Sequence, residues 1–204
     1  MNEQSYIDNI KNQIGSGMYA HLFRDDHVKQ MVFLDIGANV GLVSIYAVPY
    51  CKRIVAIEPC PYTFYELTNN TKNYQTIECL NLALTPDDGE HEFFVNDINF
   101  TASSTVNTYG KRIMVEGMRL TSILSHYKIP HVDVCKIDAE GAEGESLNYE
   151  TIRLCAPVIG TYYIETHNCP YSTWEHKLGT IVGNLARCGY SKMKIDGMAV
   201  TASK

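Results

Sequence analysis

The chain has 204 residues, of which 45% are hydrophobic and 20% are charged. This length suits one globular domain, and this composition excludes a disordered or fibrous protein. The net charge of −6 argues against a protein that coats nucleic acid or an anionic membrane. No apolar run reaches the ~18–20 residues of a membrane span, and the polar N-terminus lacks the layout of a signal peptide. The sequence therefore predicts a cytoplasmic protein without nucleic-acid or membrane partners.

The first 30 residues are predicted to form a helical arm. Ile7, Ile10 and Ile14 lie on one narrow helical stripe, and a second helical piece is expected over 18–29. From residue 31 the pattern changes to strands that alternate with helices. We therefore divide the chain into an arm over 1–30 and a single domain over 31–204.

Apolar runs bounded by turn residues mark the strands of this domain. They are predicted over 31–36, 53–57, 76–84, 90–95, 112–120, 132–137 and 158–165. Helices are predicted over 42–50, 61–73 and 142–154 and around Trp174, Leu178, Ile181 and Leu185. A hairpin over 190–200 turns at Asp196-Gly197, and a polar loop covers 96–110. The order predicts an α/β fold, a doubly wound and mostly parallel sheet that ends in an antiparallel hairpin.

The segment after the first strand is the expected ligand loop, because ligands of such sheets bind at the carboxyl ends of the strands. Gly37 and Gly41 allow a ligand to approach the backbone, and Asp35 is placed to accept hydrogen bonds from the N–H groups of the loop. Glu58 ends the second strand, and its carboxylate is able to accept both ribose hydroxyls of an adenosine ligand.

The glycine spacing favours one cofactor over another. A dinucleotide site needs Gly-x-Gly-x-x-Gly, but counted from Gly37 the other two positions hold Asn39 and Leu42. S-adenosylmethionine has no phosphate and needs only the close backbone approach.

Four segments resemble the FkbM-type methyltransferases, a family of class I S-adenosylmethionine-dependent enzymes. They read VFLDIGANVGLVSIYA (32–47), VAIEPCPYTFYELTNN (55–70), NLALTPDDGEHEFFV (81–95) and VDVCKIDAEGAEGESL (132–147). They follow the order and spacing of the family and cover most of residues 30–167. The resemblance implies a seven-stranded, Rossmann-like class I fold and methyl transfer to a hydroxyl, often on sugars or polyketide-like compounds.

The resemblance also implies roles for individual residues. The loop that holds the methionine part of the cofactor is shaped by Asp35, Gly37, Ala38, Asn39 and Gly41. Glu58 takes the ribose, while Pro59 and Cys60 lie along the adenine. Asn81 to Ala83 reach the edge of the adenine, and Asp138 lies beside the cofactor.

A hydroxyl acceptor must lose a proton, so a base is expected near the end of the strand over 132–137. Lys136 and Asp138 point to one side of this strand, and either is able to act as base or orienting group. Asp138 and Glu140 are equally able to cap the helix that follows. His167, after the next strand, is a further candidate base with an alternative structural role.

Two further features of this edge stay open. Asp138, Glu140, Glu165 and His167 together offer the ligands of a divalent cation, although we predict no metal. Ser103 and Ser104 in the polar loop are candidates to line the acceptor site.

The sequence predicts an S-adenosylmethionine-dependent O-methyltransferase that acts on a hydroxyl of a small molecule or glycan and yields S-adenosylhomocysteine. The alternatives are a nucleic-acid methyltransferase, an NAD-dependent oxidoreductase on the same type of sheet, and a binding protein that has lost catalysis.

Overall fold

The computed structural model describes residues 19–23, 30–96, 103–106 and 110–204. The strands are β1 (Met31–Ile36), β2 (Cys51–Ile57), β3 (Ile77–Leu80), β4 (Ala83–Leu84), β5 (Gly89–Val95), β6 (Lys111–Met118), β7 (Val132–Asp138), β8 (Ile159–Glu165), β9 (Lys192–Asp196) and β10 (Ala199–Ser203). The α-helices are α1 (Leu42–Ala47), α2 (Pro61–Thr71), α3 (Leu120–His126), α4 (Glu143–Ser146), α5 (Tyr149–Cys155) and α6 (Trp174–Arg187).

Seven strands form the main sheet in the order β3-β2-β1-β7-β8-β10-β9. All neighbours are parallel except β10, which runs antiparallel to β8 and β9. The predicted doubly wound sheet with a C-terminal antiparallel hairpin is therefore confirmed. The strand order reverses between β1 and β7, which is where such sheets bind ligands.

Both faces of the sheet are covered, which explains why every residue of β1 is buried. One face packs against α3, α5 and α6 through the large core. The other face carries a smaller core, to which α1 and residues 19–23 contribute. Asp35 of β1, Lys136 of β7 and Tyr163 of β8 are register partners, so their side chains share this second face.

A second, three-stranded sheet of order β4-β6-β5 was not predicted. The predicted strand over 76–84 is divided into β3 and β4 because the chain changes sheets there. Between them, the Asn81 side chain donates hydrogen bonds to the carbonyls of Glu58 and Pro59, at 2.8 and 3.1 Å. The prediction of a single strand over 76–84 is therefore wrong.

Two helix predictions also need correction, and one helix was not predicted. The helix predicted over 142–154 is two helices, because Asn148 caps α5 by accepting a hydrogen bond from the Thr151 N–H. The helix predicted over 42–50 ends at Ala47. Helix α3 was not predicted, because its seven residues follow directly on a strand pattern.

Most of the predicted helical arm lies outside the described residues, including the stripe of Ile7, Ile10 and Ile14. Residues 20–22 of the expected second piece form a short 3₁₀ helix. The division into an arm over 1–30 and a domain over 31–204 stays a prediction. Within the described part of the chain, no helix is long and apolar enough to cross a membrane.

Candidate functional site

The loop over residues 37–41, called here the β1 loop, runs from β1 to α1. Gly37, Asn39 and Gly41 have positive φ angles of 74°, 51° and 88°. A Cβ atom at Gly37 would lie 1.8 Å from the carbonyl oxygen of Asp138, so only glycine fits against the end of β7. The N–H groups of Gly37 and Ala38 both donate to the Ile57 carbonyl, at 3.0 and 2.9 Å. These contacts fix the β1 loop at the reversal point of the sheet.

Glu58 holds the β1 loop from the neighbouring strand end. It is 6% exposed and accepts hydrogen bonds from the Asn39 N–H at 2.9 Å, the Cys60 N–H at 3.0 Å and the Thr63 hydroxyl at 2.7 Å. Burial raises the pKa of this carboxyl above its ordinary value. Since a carboxylate offers about four acceptor positions, roughly one remains for a ribose hydroxyl, where the sequence predicts two.

Asp35 lies fully buried beneath the β1 loop. Its carboxylate accepts a hydrogen bond from the Ser44 hydroxyl at 2.7 Å and pairs with Lys136 Nζ at 3.2 Å. The expectation that Asp35 accepts the N–H groups of the loop is therefore wrong, because these groups donate to Ile57, to Glu58 and to acceptors within the loop itself. Asp35 instead supports the loop from below.

Lys136 connects this support to the next strand. Its Nζ donates to the Gly37 carbonyl at 3.1 Å and lies 3.6 Å from Asp138 Oδ2. Burial alone would lower the pKa of Lys136, but Asp35 and Asp138 outweigh burial and raise it well above its ordinary value. The charged form of Lys136 is therefore favoured, which supports the orienting role over the role of base.

The predicted adenine contacts are only partly available. The side chains of Cys60 and Ala83 are buried together with Phe93 and Val115 of the second sheet. Their side chains are packed into this core, and the Cys60 N–H donates to Glu58, so neither group of Cys60 is free for an adenine. Asn81 is exposed and fixes the loop after β2 through its two hydrogen bonds.

The candidate catalytic residues meet at the carboxyl ends of β7 and β8. His167 Nε2 lies 3.7 Å from Asp138 Oδ1, 3.9 Å from Glu165 Oε1 and 4.0 Å from Glu140 Oε2. Asp138 and Glu165 are register partners, so two like charges stand side by side. Together with Glu143, these four residues are called here the His167 cluster.

Glu143, at the start of α4, is the residue that sequence reasoning missed. It is fully buried and accepts hydrogen bonds from the N–H groups of Ala139 and Gly141, at 3.0 and 3.1 Å. His167 Nδ1 lies 3.1 Å from Glu143 Oε1, which orients the ring so that Nε2 faces the other carboxylates. The sequence shows an acid in the first turn of a helix, which is ordinary there, and carries no sign of its burial.

Charge and burial shift the proton affinities of the cluster. Burial alone would lower the pKa of His167, but the hydrogen bond to Glu143 and the nearby carboxylates raise it to about 9. Burial and the neighbouring acids raise the pKa of Glu140 to about 8, against the opposing charge of His167. Glu140 therefore binds and releases a proton close to neutral pH.

The backbone places Glu140 in an unusual conformation, with φ at +49°. Its carbonyl accepts a hydrogen bond from the Ser104 hydroxyl at 2.7 Å, so Ser104 touches the predicted acceptor side. Ser103 instead accepts a hydrogen bond from the Asn96 N–H, at 3.0 Å. The other parts of the predicted loop over 96–110 lie largely outside the described residues.

Asp138, Glu140 and His167 are close enough to hold a divalent cation. One ligand atom from each lies within 4.8 Å of the other two. Our expectation that no metal is bound stays a prediction, which dialysis against a chelator followed by metal analysis can test.

Comparisons with known proteins assign the chain to a family. The model of the methyltransferase FkbM domain matches residues 35–192, well over half of the chain. No curated protein sequence matches the chain.

Three solved structures share the fold. An FkbM methyltransferase from Methylobacillus flagellatus is 14% identical, with a TM-score of 0.55 over 84% of this chain and 43% of that chain. The N-terminal domain of human METTL16 in complex with SAH is 14% identical, with a TM-score of 0.52 over 97% and 68% of the two chains. The fibrillarin pre-rRNA processing protein of Methanococcus jannaschii is 14% identical, with a TM-score of 0.51 over 89% and 66%.

At these identities the likeness shows the fold alone, and this chain spans less than half the length of the FkbM methyltransferase structure. The assignment of the chain to a family rests on the match to the family model. The chain belongs to the FkbM family of methyltransferases, and the prediction of this family from the sequence is confirmed.

Proposed function

We propose that the protein transfers a methyl group from S-adenosylmethionine to a hydroxyl of a small molecule or glycan. The supporting observation is the His167 cluster, which sets a proton-accepting carboxylate beside the β1 loop. A hydroxyl acceptor needs such a group, because its oxygen must lose a proton as it is methylated. The predicted cytoplasmic location and the predicted lack of nucleic-acid and membrane partners stay predictions.

The residues present fit the cofactor. The β1 loop presents its backbone through three positive φ angles, and Glu58 keeps about one acceptor position for a ribose hydroxyl. Asp35, Asp138 and Glu165 outnumber Lys136 on the adjoining sheet face, which favours a ligand with positive charge. When bound, S-adenosylmethionine supplies an electrophilic methyl group on a cationic sulfur.

The proposal gives the residues of the cluster the following roles in transfer. A lone pair of the acceptor oxygen forms the new carbon–oxygen bond while the electron pair of the carbon–sulfur bond stays with sulfur, and S-adenosylhomocysteine is the second product. The acceptor proton passes to the Glu140 carboxylate, whose pKa of about 8 suits a base near neutral pH. Protonated His167, held by Glu143, balances the charge of the surrounding acids. Alignment of the acceptor against the methyl group supplies much of the remaining acceleration.

The test is transfer of radiolabelled methyl to a panel of sugars, glycans and hydroxylated ring compounds. We expect a labelled product whose methyl survives treatment with base, as an ether does and an ester does not. Turnover should rise with pH through about 8, as Glu140 ionises. Glu140→Gln should lower turnover by about 10²-fold, in line with the usual contribution of a general base.

Glu145→Gln is the matched control, since Glu145 lies exposed on α4 outside the cluster. Label found only on amines or carboxylates would contradict O-methylation, as would full turnover in Glu140→Gln.

Two alternative functions considered from the sequence are disfavoured, each for a different reason. Membership in a methyltransferase family speaks against the NAD-dependent oxidoreductase. The nucleic-acid methyltransferase is disfavoured by the net charge of −6, and steeply salt-dependent binding to RNA would revive it.

A further inference from the structure

Lys177 of α6 is a buried cation next to the His167 cluster, and the roles proposed for transfer do not use it. The residue is 4% exposed and lies on the buried face of α6 together with Leu178, Ile181 and Leu185. A buried ammonium is costly unless its hydrogen-bond donors find acceptors. The acceptors that Lys177 reaches therefore indicate which part of the molecule it serves.

These acceptors belong to two separate strand ends. Lys177 Nζ donates to the Gly141 carbonyl at 2.6 Å and to the His167 carbonyl at 2.8 Å. Gly141 follows β7 and His167 follows β8, so one side chain joins the two turns. Glu143 bridges the same two residues, because it accepts the Gly141 N–H at 3.1 Å and lies 3.1 Å from His167 Nδ1. The two turns are therefore held together by one anion and one cation.

The turn after β7 has a backbone conformation that needs such support. Glu140 and Gly141 have positive φ angles of 49° and 113°. A residue such as Glu140 keeps this conformation only where its surroundings impose it. Glu143 holds the N–H of Gly141 and Lys177 holds its carbonyl, so the backbone after Glu140 is fixed on both sides. The place of the Glu140 carboxylate, 4.0 Å from His167 Nε2, therefore depends on Lys177.

Gly144 of α4 leaves room for the Lys177 side chain. A Cβ atom at Gly144 would lie 3.1 Å from Cγ, 3.2 Å from Cδ and 3.4 Å from Cε of Lys177. These distances are shorter than ordinary contacts between carbon atoms, so an alanine at this position would displace the side chain. The lack of a side chain at Gly144 thus lets Lys177 reach both carbonyls.

We propose that Lys177 is a positioning residue for methyl transfer, which joins the turns after β7 and β8 and thereby holds His167 against Glu140. The inference rests on the proposed function, in which Glu140 accepts the proton of the acceptor. It gives Lys177 no contact with the acceptor or the cofactor, because its Nζ donates to backbone carbonyls.

The first test compares turnover with cofactor binding in the full chain. Lys177→Met keeps most of the side chain and removes the donor. We expect kcat for an acceptor from the panel to fall by about 10²-fold, as for a reacting group misplaced by about 1 Å. Calorimetric affinity for S-adenosylhomocysteine should stay at the wild-type value, because Ile57, Glu58 and Lys136 hold the β1 loop.

Gly144→Ala tests the same link without removing the amine. It should lower kcat in the same direction by a smaller factor, because the Lys177 side chain is displaced and not lost. Gly183→Ala is the matched control, since a Cβ atom at Gly183 of α6 would have nothing within 4 Å. Lys52→Met, at an exposed position on β2, is the control for the loss of a lysine. Both controls should turn over as the wild type does.

A spectroscopic measurement on His167 needs no acceptor. The N–H at Nδ1 faces Glu143, and such a held proton exchanges slowly with water. Nuclear magnetic resonance should show this ring proton in the wild type and in both controls. In Lys177→Met the signal should broaden or disappear, because the turn that carries His167 has lost its link to the turn after β7.

Several outcomes would overturn the role of Lys177. They are an unchanged kcat and ring proton in Lys177→Met, or an equal fall in kcat and in affinity for S-adenosylhomocysteine, which would show a general structural role. If Lys177→Met does not fold, a wild-type kcat in Gly144→Ala would overturn it as well. These results leave the proposed function standing, whereas failure of the wild type to methylate any acceptor would overturn both.

Discussion

The β1 loop and the His167 cluster lie at the same edge of the sheet, but their polar groups are arranged in different ways. Around the β1 loop, donors and acceptors meet at hydrogen-bond distance, as Glu58 does with three donors between 2.7 and 3.0 Å. In the His167 cluster, three carboxylates face Nε2 at 3.7 to 4.0 Å, too far for hydrogen bonds.

This difference indicates two roles: the β1 loop provides a fixed backbone shape, and the His167 cluster provides groups that exchange protons. Satisfied hydrogen bonds hold the β1 loop in one conformation, which suits a cofactor whose place must be fixed before the acceptor arrives. Crowded, partly buried acids instead have shifted proton affinities, as the raised pKa values of Glu140 and Glu165 show. The loop side is expected to respond to substitution in stability and the cluster side in its dependence on pH.

The largest expected effect is on the loop side, where Lys136→Met removes the buried cation under the β1 loop. Asp35 is fully buried and would lose the cation at 3.2 Å, while the Gly37 carbonyl would lose its donor. Breaking such a buried pair costs about 3–5 kcal/mol. Urea denaturation should show a loss of that size in the free energy of unfolding.

Lys52→Met is the control for this prediction, because Lys52 is exposed on β2 and should change stability by less than about 0.5 kcal/mol. A loss below about 1 kcal/mol in Lys136→Met would show that the β1 loop does not depend on the ion pair.

The same contrast explains what the sequence could predict. The two glycines of the β1 loop and Glu58 at the next strand end follow from local rules about backbone approach and strand order, so the sequence could predict that these residues meet at one edge of the sheet. The partners of Asp35 could not be read from the sequence, because Ser44 and Lys136 reach it from different elements. Glu143 was missed for a related reason, since its burial depends on packing between segments that are far apart in the chain.

The second-largest expected effect is on the pH dependence of stability, which Glu140 of the His167 cluster is expected to change. The pKa of Glu140 is raised in the folded protein to about 8, so its protonated form contributes stability that is fully present below the unfolded pKa near 4.5. This contribution is lost as pH rises through about 8. Glu140→Gln cannot ionise, so the fall in unfolding free energy between pH 5 and 8 should become shallower by on the order of 1 kcal/mol per pH unit.

His167 adds a second fall with the same sign, because its raised folded pKa gives stability below about pH 6.5 that is lost as pH rises through about 9. Urea denaturation at several pH values measures both. Since Glu145 is exposed, Glu145→Gln should leave the profile of the wild type. Parallel profiles for the wild type and Glu140→Gln would show that Glu140 is ionised throughout, and it would then lose its place as the proton acceptor.

The smallest expected effect concerns an exposed ion pair outside the site, which serves as a reference for the buried pair. Arg112 and Glu92 pair at 2.6 Å across β6 and β5, a shorter distance than between Lys136 and Asp35, but their side chains are 65% and 51% exposed. Water screens such a pair, so Arg112→Ala should cost less than about 1 kcal/mol in the same urea measurement. If the exposed pair proved as costly as the buried one, distance rather than burial would set the energies. The contrast between the β1 loop and the His167 cluster would then need another explanation, because in both regions the expected energies depend on how far water is excluded from the charges.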